Sequence, residues 1–361
     1  MKRKLYKPMV PSPLIRGNNM VLDEEQEQDN QPKWSHKTLK ELLQESKEYN
    51  SKTPSLIELS PEHTWIVASD LHGDTLTLNQ VLSEGNYRLI LGDLLDYNPD
   101  DGSSIDALAT VIDRQLSEPD KVKITQADHE QKRVFSNRQT WQELIKNYEP
   151  EQAYELADLI EDTCSQFPYA AISQNGILML HGTIPRVDSL DRIRELPKGV
   201  TDVLGKADET GDEETKRIVA DITWGDNTYK DNLLVHTQDA DGRKYAGEIK
   251  LGPEGWGPNT QRSNSSKRRK KLIVVGADYI DKQMEKLGIK GVIRGHNHFQ
   301  QGVNLDGRVL TIITGRQFRK PNTRKGTHIA YVNPTMPVES MNEIPVQNIM
   351  EFYDTDEHKV A

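Results

Sequence analysis

A layered α/β fold, with helices packed outside sheets, is what this sequence predicts. Two observations carry that reading. Short apolar runs at Trp65–Ala68, 88–91, 122–125, 176–180, 272–275 and 291–293 each end in turn residues and polar clusters. Helix-length stretches at 75–84, 103–117, 138–165 and 277–287 lie between several of them. Strands alternating with helices bury their apolar faces by stacking in layers. A third observation concerns placement: Asp and His residues follow five of these runs, and strand carboxyl ends are where sites collect in α/β sheets.

The elements follow in order. Residues 1–33 combine a basic start, several prolines and the acidic run Asp23-Glu24-Glu25-Gln26-Glu27-Gln28-Asp29-Asn30. That composition buries little apolar surface, so a flexible tail is expected. Residues 34–60 read as a helix and linker. Ser35 is placed to cap a helix over 35–50, with Leu39, Leu42 and Leu43 on one face. Residues 61–345 read as the main folded domain, which holds the strand–helix pattern. Within it, 200–216 and 226–270 are polar and Gly-rich and read as long loops, and 327–334 reads as a late strand. Residues 346–361 are polar and read as a C-terminal tail.

Composition excludes several classes. Among 361 residues, 46 basic side chains face 56 acidic ones, a formal net charge of −10, so general nucleic-acid binding is not expected. Mean hydropathy is −0.73. No run reaches the roughly 18 apolar residues of a membrane span. Met1-Lys2-Arg3-Lys4 is like the start of a signal peptide, but Pro8, Pro11 and Pro13 stand where its apolar segment belongs. One cysteine, Cys164, rules out an internal disulfide framework and a Cys-based zinc cage. A cytoplasmic, reducing compartment is the expectation.

The chemistry-bearing residues sit in five clusters. Ser69-Asp70-Leu71-His72-Gly73-Asp74 follows the first strand. In extended backbone, residues i and i+2 point the same way, so Asp70 and His72 can offer an oxygen and a nitrogen to one ion. Gly92-Asp93-Leu94-Leu95-Asp96 follows the second. Asp93 there either bridges two ions across a cleft or caps the helix beyond. Gln126-Ala127-Asp128-His129-Glu130, His181-Gly182 and Arg294-Gly295-His296-Asn297-His298 follow three more. A lone histidine is usually a core or surface residue. Five strand ends in chain order, each delivering Asp or His, describe a metal centre.

These motifs resemble the calcineurin-like metallophosphoesterases, and within them the phosphoprotein phosphatase (PPP) branch. That branch carries Gly-Asp-x-His-Gly, Gly-Asp-x-Val-Asp-Arg-Gly and Gly-Asn-His-Glu, then two further histidines. The counterparts are Ser69-Asp70-Leu71-His72-Gly73, Gly92-Asp93-Leu94-Leu95-Asp96-Tyr97-Asn98, Ala127-Asp128-His129-Glu130, His181-Gly182 and Arg294-Gly295-His296. Phe167-Pro168-Tyr169-Ala170-Ala171, Trp224-Gly225-Asp226 and Gly255-Trp256-Gly257 with Arg262 resemble flanking segments of the branch. The likeness spans roughly residues 64–320.

The resemblance implies a four-layer sandwich of two mixed β-sheets flanked by helices, with the site at strand carboxyl ends. It implies two divalent metal ions, Mn²⁺ foremost and Fe or Zn²⁺ as alternatives. Metal 1 would take Asp70, His72 and Asp93, and metal 2 would take Asp93, Asp128, His181 and His296. His129 would be the general acid, oriented by Asp96. Arg262 would bind phosphate, with Arg133 and Arg294 as further candidates, and Arg138 and Arg186 beside them. The implied reaction is hydrolysis of phosphoserine or phosphothreonine in a phosphoprotein substrate, by in-line attack of a metal-bridging hydroxide. Oxygen and imidazole ligands suit such ions, and histidine is poised to hand a proton to an alkoxide at neutral pH. Asp74 and Glu130 are candidates for orienting the ligand histidines.

Three departures stand out. Asp128 replaces Asn, adding a carboxylate that favours metal binding and weakens the pull on a phosphate dianion. Tyr97-Asn98 replaces Arg-Gly, so one phosphate-binding arginine is missing, which leaves the usual Ser/Thr substrate geometry open; a wider pocket could accept phosphotyrosine. His298 adds a second histidine after His296, used in the wider superfamily as a metal 1 ligand, or else facing a neighbour or solvent. The alternatives are a phosphotyrosine phosphatase on the same scaffold, a dinucleoside-polyphosphate hydrolase, or a binding protein with an impaired site. Lys267-Arg268-Arg269-Lys270-Lys271 reads as a solvated charge run, an attractor of acidic substrates or an import signal. The charged tails and altered motifs also resemble PPP-like phosphatases that intracellular bacterial pathogens inject, which would place the chain in a host cell. The oligomeric state stays open.

Overall fold

The computed structural model describes residues 32–85, 87–131, 139–200, 203, 212–228, 251–258, 272–298, 300–318 and 327–349, and the backbone of two further strands. The strands in chain order are β1 (Leu56–Glu58), β2 (Trp65–Ala68), β3 (Tyr87–Ile90), β4 (Val122–Ile124), β5 (Ala170–Ile172), β6 (Ile177–Leu180), β7 (Asp226–Asn227), β8 (Val235–Gln238), β9 (Lys244–Gly247), β10 (Trp256–Pro258), β11 (Ile273–Val275), β12 (Gly291–Arg294), β13 (Gly302–Asn304), β14 (Val309–Thr311), β15 (His328–Val332) and β16 (Val346–Asn348). The helices are α1 (His36–Lys52), α2 (Thr75–Glu84), α3 (Ser104–Ser117), α4 (Gln139–Asn147), α5 (Pro150–Cys164), α6 (Leu190–Arg194), α7 (Glu213–Trp224) and α8 (Ala277–Leu287).

Two mixed sheets form the frame. One runs β16-β15-β2-β3-β4, with β2, β3 and β4 parallel, β15 antiparallel to β2, and β16 antiparallel to β15. The other runs β1-β5-β6-β12-β14-β13, with β6, β12 and β14 parallel. Side-chain alternation assigns their faces. Val67, Leu89, Met179, Ile293 and Leu310 fill one core between the sheets. Ile66, Ala68, Ile90 and Ile124 turn outward onto α1, α2, α3 and α5. Leu178, Leu180, Val292 and Val309 turn outward onto α6, α7 and α8. The expected four layers are present.

Local chemistry sets the helix ends. Ser35 Oγ accepts the Thr38 amide at 3.1 Å and caps α1, whose Leu39 and Leu43 are buried. Asp74 caps α2 through the Thr77 amide at 3.2 Å. Gly288, at φ +66°, closes α8 in the left-handed conformation that glycine adopts without a Cβ clash.

Four expectations are corrected. The single helix over 138–165 is two. Pro150 lacks an amide and cannot continue α4, so it opens α5 at its first turn, with Glu149 and Gln152 capping reciprocally. The 226–270 stretch is not one loop: β7 and β10 pair with β11, and β8 pairs with β9 as a hairpin. The 200–216 loop ends early, because Asp212 caps α7 through the Thr215 amide at 2.7 Å. The tail expected from residue 346 begins as the edge strand β16, paired with β15, and Ile349 is buried. Residues 1–31, 204–211, 259–271 and 350–361 lie outside the described residues. Among those described, no helix is long and apolar enough to cross a membrane.

Candidate metal centre

Both sheets feed one site. Asp70 and His72 follow β2, Asp93 follows β3, Asp128 and His129 follow β4, His181 follows β6, and His296 and His298 follow β12. The chain turns sharply where β2, β3 and β12 stop. Asp70, His72, Asp93, Asp96, Tyr97 and His296 all take positive φ, between +45° and +70°. Asp and His tolerate this better than most residues, yet each such position costs on the order of 1–3 kcal/mol. Gly295 supplies the closest approach: a Cβ there would collide with Ser69 Oγ and Asp70 Oδ2.

Two ligand sets result. Asp93, Asp128, His181 and His296 offer atoms within 4.8 Å of one another, as do Asp70, His72 and His298. Asp93 reaches both, because it also groups with His72 and His129. His181 Nε2 lies 3.2 Å from Asp93 Oδ2 and 3.2 Å from Asp128 Oδ1. His296 Nδ1 lies 3.0 Å from Asp128 Oδ1. His298 Nε2 lies 2.9 Å from Asp70 Oδ1.

The donor set fits cations. His72 Nδ1 donates to the carbonyls of Leu95 at 2.8 Å and Asp96 at 3.0 Å. Its Nε2 lone pair therefore faces Asp93 Oδ2 at 3.3 Å and Asp70 Oδ1 at 4.0 Å, with no hydrogen-bond partner. His181 Nδ1 likewise donates to Leu91 O at 2.9 Å, turning Nε2 onto carboxylates. Lone pairs and carboxylates converge in this way only around a positive charge, a proton or a metal. Without metal the charge is a proton. Burial alone would lower His72, but Asp93 and Asp70 override it and hold the imidazole at about 9. Asp93 and Asp128 likewise raise His181 well above its ordinary value against its burial. Burial opposes ionisation of Asp70 as well, yet His298 and His181 draw it down to about 2. Imidazole nitrogen and carboxylate oxygen are ligands for hard or borderline divalent ions.

His129 sits at the edge of both sets. Its Nδ1 is 3.1 Å from Asp96 Oδ2, and its amide donates to Asp93 Oδ1 at 3.1 Å. Asp96 is itself fixed: Oδ1 accepts the Thr140 amide at 3.1 Å and the Thr140 hydroxyl at 2.8 Å. Burial would raise the Asp96 carboxyl, but His129 and Thr140 together hold it low.

The nine expected metal and acid–base positions thus converge: Asp70, His72, Asp93, Asp96, Asp128, His129, His181, His296 and His298. The arginines do not follow suit. Arg294 has no exposed surface. Its guanidinium donates to Gly295 O at 3.1 Å and Gly225 O at 3.2 Å, 3.6 Å from Asp226. It braces the loop beneath the ligands and cannot meet a phosphate, which corrects the expectation for it. Arg186 is held bidentately by buried Asp221 at 2.8 and 2.7 Å, with its guanidinium over the Trp256 ring. Arg262, Arg133, Arg138 and the 267–271 basic run lie outside the described residues.

Main-chain carbonyls, rather than Asp74 or Glu130, orient His72 and His181. Asp74 binds Arg316, whose amide and Nε both lie 2.9 Å from it. Glu130 accepts the amides of Asp93 at 2.9 Å, Leu94 at 2.8 Å and Ala127 at 3.1 Å, so it holds the ligand loop. Burial, reinforced by Asp93, pushes its carboxyl up to about 7. Thr140 and Phe318 are not legible as site residues, whereas Tyr97 stands out in the sequence as the residue in place of an arginine. Thr140 is 44 positions from Asp96 and carries no motif.

The family is established by comparison. A family model described as calcineurin-like phosphoesterase matches residues 64–300, more than half of the chain, and the chain belongs to that family. Among curated relatives, the serine/threonine-protein phosphatase with EF-hands 1 of Mus musculus is 24% identical over 324 residues, covering 82% of this chain and 47% of that protein. The serine/threonine-protein phosphatase rdgC of Drosophila melanogaster is 21% identical over 318 residues, covering 85% and 43%. The chain thus spans about half the length of these relatives. A solved protein serine/threonine phosphatase from Saccharomyces cerevisiae, with similarity to human phosphatase PP5, shares the fold. Its TM-score is 0.62 at 14% identity, covering 87% of this chain and 89% of that one.

Proposed function

We propose that this chain is a metal-dependent phosphoprotein phosphatase acting on phosphoserine and phosphothreonine, with two divalent ions, Mn²⁺ foremost. The observation that carries the reading is the pair of ligand sets joined at Asp93, with His129 beside them. Asp70, His72, Asp93 and His298 would hold one ion; Asp93, Asp128, His181 and His296 would hold the other. Bound there, two ions supply an activated water and a clamp on the phosphoryl oxygens. The protein residues do the rest. Asp96 accepts from His129 Nδ1, which leaves Nε2 to carry the proton that the departing oxygen needs. Thr140 keeps Asp96 in place, so the imidazole does not swing. Leu95, Asp96 and Leu91 carbonyls fix the faces that His72 and His181 present.

The test is hydrolysis of phosphoserine, phosphothreonine and phosphotyrosine peptides and of diadenosine tetraphosphate, with Mn²⁺ and with chelator. Metal-dependent phosphate release from peptides is expected, falling about 10²- to 10⁴-fold in His129→Ala. Cleavage of the dinucleotide alone, or no release while metals remain bound, would contradict the reading.

A further inference from the structure

We propose that Tyr97 is a specificity-determining residue whose ring forms a subsite for an aromatic leaving group, so that aryl phosphates, phosphotyrosine included, are substrates beside the alkyl esters. The inference rests on the phosphatase reading and deepens it.

Four observations carry it. The Tyr97 ring lies edge-on to His129, with centroids 5.1 Å apart at 62°. It lies edge-on to His72 as well, at 5.4 Å and 78°. Both separations fall in the range where aromatic rings attract. The ring is 57% exposed, so it contributes little to the core. Its backbone is nevertheless held at φ +53°, where a bulky residue is strained and glycine is not. That strain is locked in from both sides: Ser104 Oγ accepts the Asp96 amide at 2.8 Å, and Gln139 Oε1 accepts the Asn98 amide at 2.8 Å. An exposed aromatic kept in a strained, rigid turn beside the general acid points to a role in binding.

Position gives the ligand class. The proton from His129 goes to the oxygen that leaves phosphorus. The organic group on that oxygen therefore lies close to His129, whose ring the exposed Tyr97 ring meets edge-on. A phenyl group on that oxygen offers a face to the Tyr97 ring, and the methylene of serine offers none. Phenolate also departs more easily than an alkoxide, so an aryl ester asks less of His129.

The experiment measures binding of phenylphosphonate and methylphosphonate to Mn²⁺-loaded protein by titration calorimetry, for wild type, Tyr97→Ala, Tyr97→Gly and Tyr97→Phe. Turnover of phosphotyrosine and phosphoserine peptides is measured alongside. Removing the ring should lower the phenyl-to-methyl affinity ratio about three- to tenfold, with a matching fall in the phosphotyrosine-to-phosphoserine ratio of kcat/KM. Tyr97→Phe should keep both ratios. Tyr97→Gly relieves the strained φ, so it separates loss of the ring from a disturbed turn. Equal losses on both ligands, no change, or a fall in Tyr97→Phe as large as in Tyr97→Ala would overturn the inference. Ring-dependent phenylphosphonate binding with no peptide turnover would overturn the phosphatase reading and leave the subsite standing.

Discussion

All four side chains of the Asp93–Asp128–His181–His296 set are buried, whereas His298 in the Asp70–His72–His298 set keeps 26% of its side chain exposed. The buried set is held by the sheets. His181 is oriented by the Leu91 carbonyl just past β3 of the opposite sheet, and Asp93 lies on the loop that Glu130 clamps by its amides. The other set depends partly on a turn: His298 rests on Asp70 and on the Phe318 ring, 3.7 Å away between centroids. On the proposed two-ion reading, the difference predicts one tightly held ion and one that exchanges more readily, with Asp93 common to both.

Breaking the shared ligand should have the largest effect. Asp93→Ala removes an oxygen from both sets, and phosphate release should fall on the order of a thousandfold or more. His298→Ala should cost less and act on one ion only. Metal titration should show one class of site weakened about 10- to 100-fold, with the other unchanged. Asp128→Asn sharpens the comparison from the other side. Removing a carboxylate charge from the buried set should weaken its ion on the order of tenfold, measurable by competition with a chelator.

The smallest effect concerns pH. Metal-free protein holds a proton on His72, whose value of about 9 lies above the ordinary 6.5. A raised value contributes stability that is complete below pH 6.5 and is lost as pH rises through about 9. The melting temperature of chelated protein should therefore decline between pH 6.5 and 9. With metal bound, a ligand nitrogen replaces that protonated one, and the decline should disappear.

Much of this architecture is legible in the sequence because short strands announce themselves by apolar runs and stop at polar residues. Trp65–Ala68 ends at Ser69-Asp70, and α8 ends at Gly288, as local chemistry requires. The clustered Asp and His side chains are legible for the same reason, since each follows a strand. Local signals also correct a periodicity reading: the 138–165 pattern is helical throughout, but Pro150 divides it. What was not legible is long-range. Nothing near Asp96 in sequence reveals that Thr140 holds its carboxylate, and nothing near Arg294 shows that Gly225 and Asp226 enclose its guanidinium. Polar Gly-rich text at 226–258 hides short strands, because β7 and β10 owe their pairing to β11 rather than to their own composition.

The most direct measurement is elemental analysis of metal per chain after dialysis, for wild type, His298→Ala and Asp93→Ala. A shared-carboxylate centre predicts two ions in wild type, one in His298→Ala and none held tightly in Asp93→Ala. A single ion in wild type, or an Asp93→Ala protein that still retains two, would contradict it.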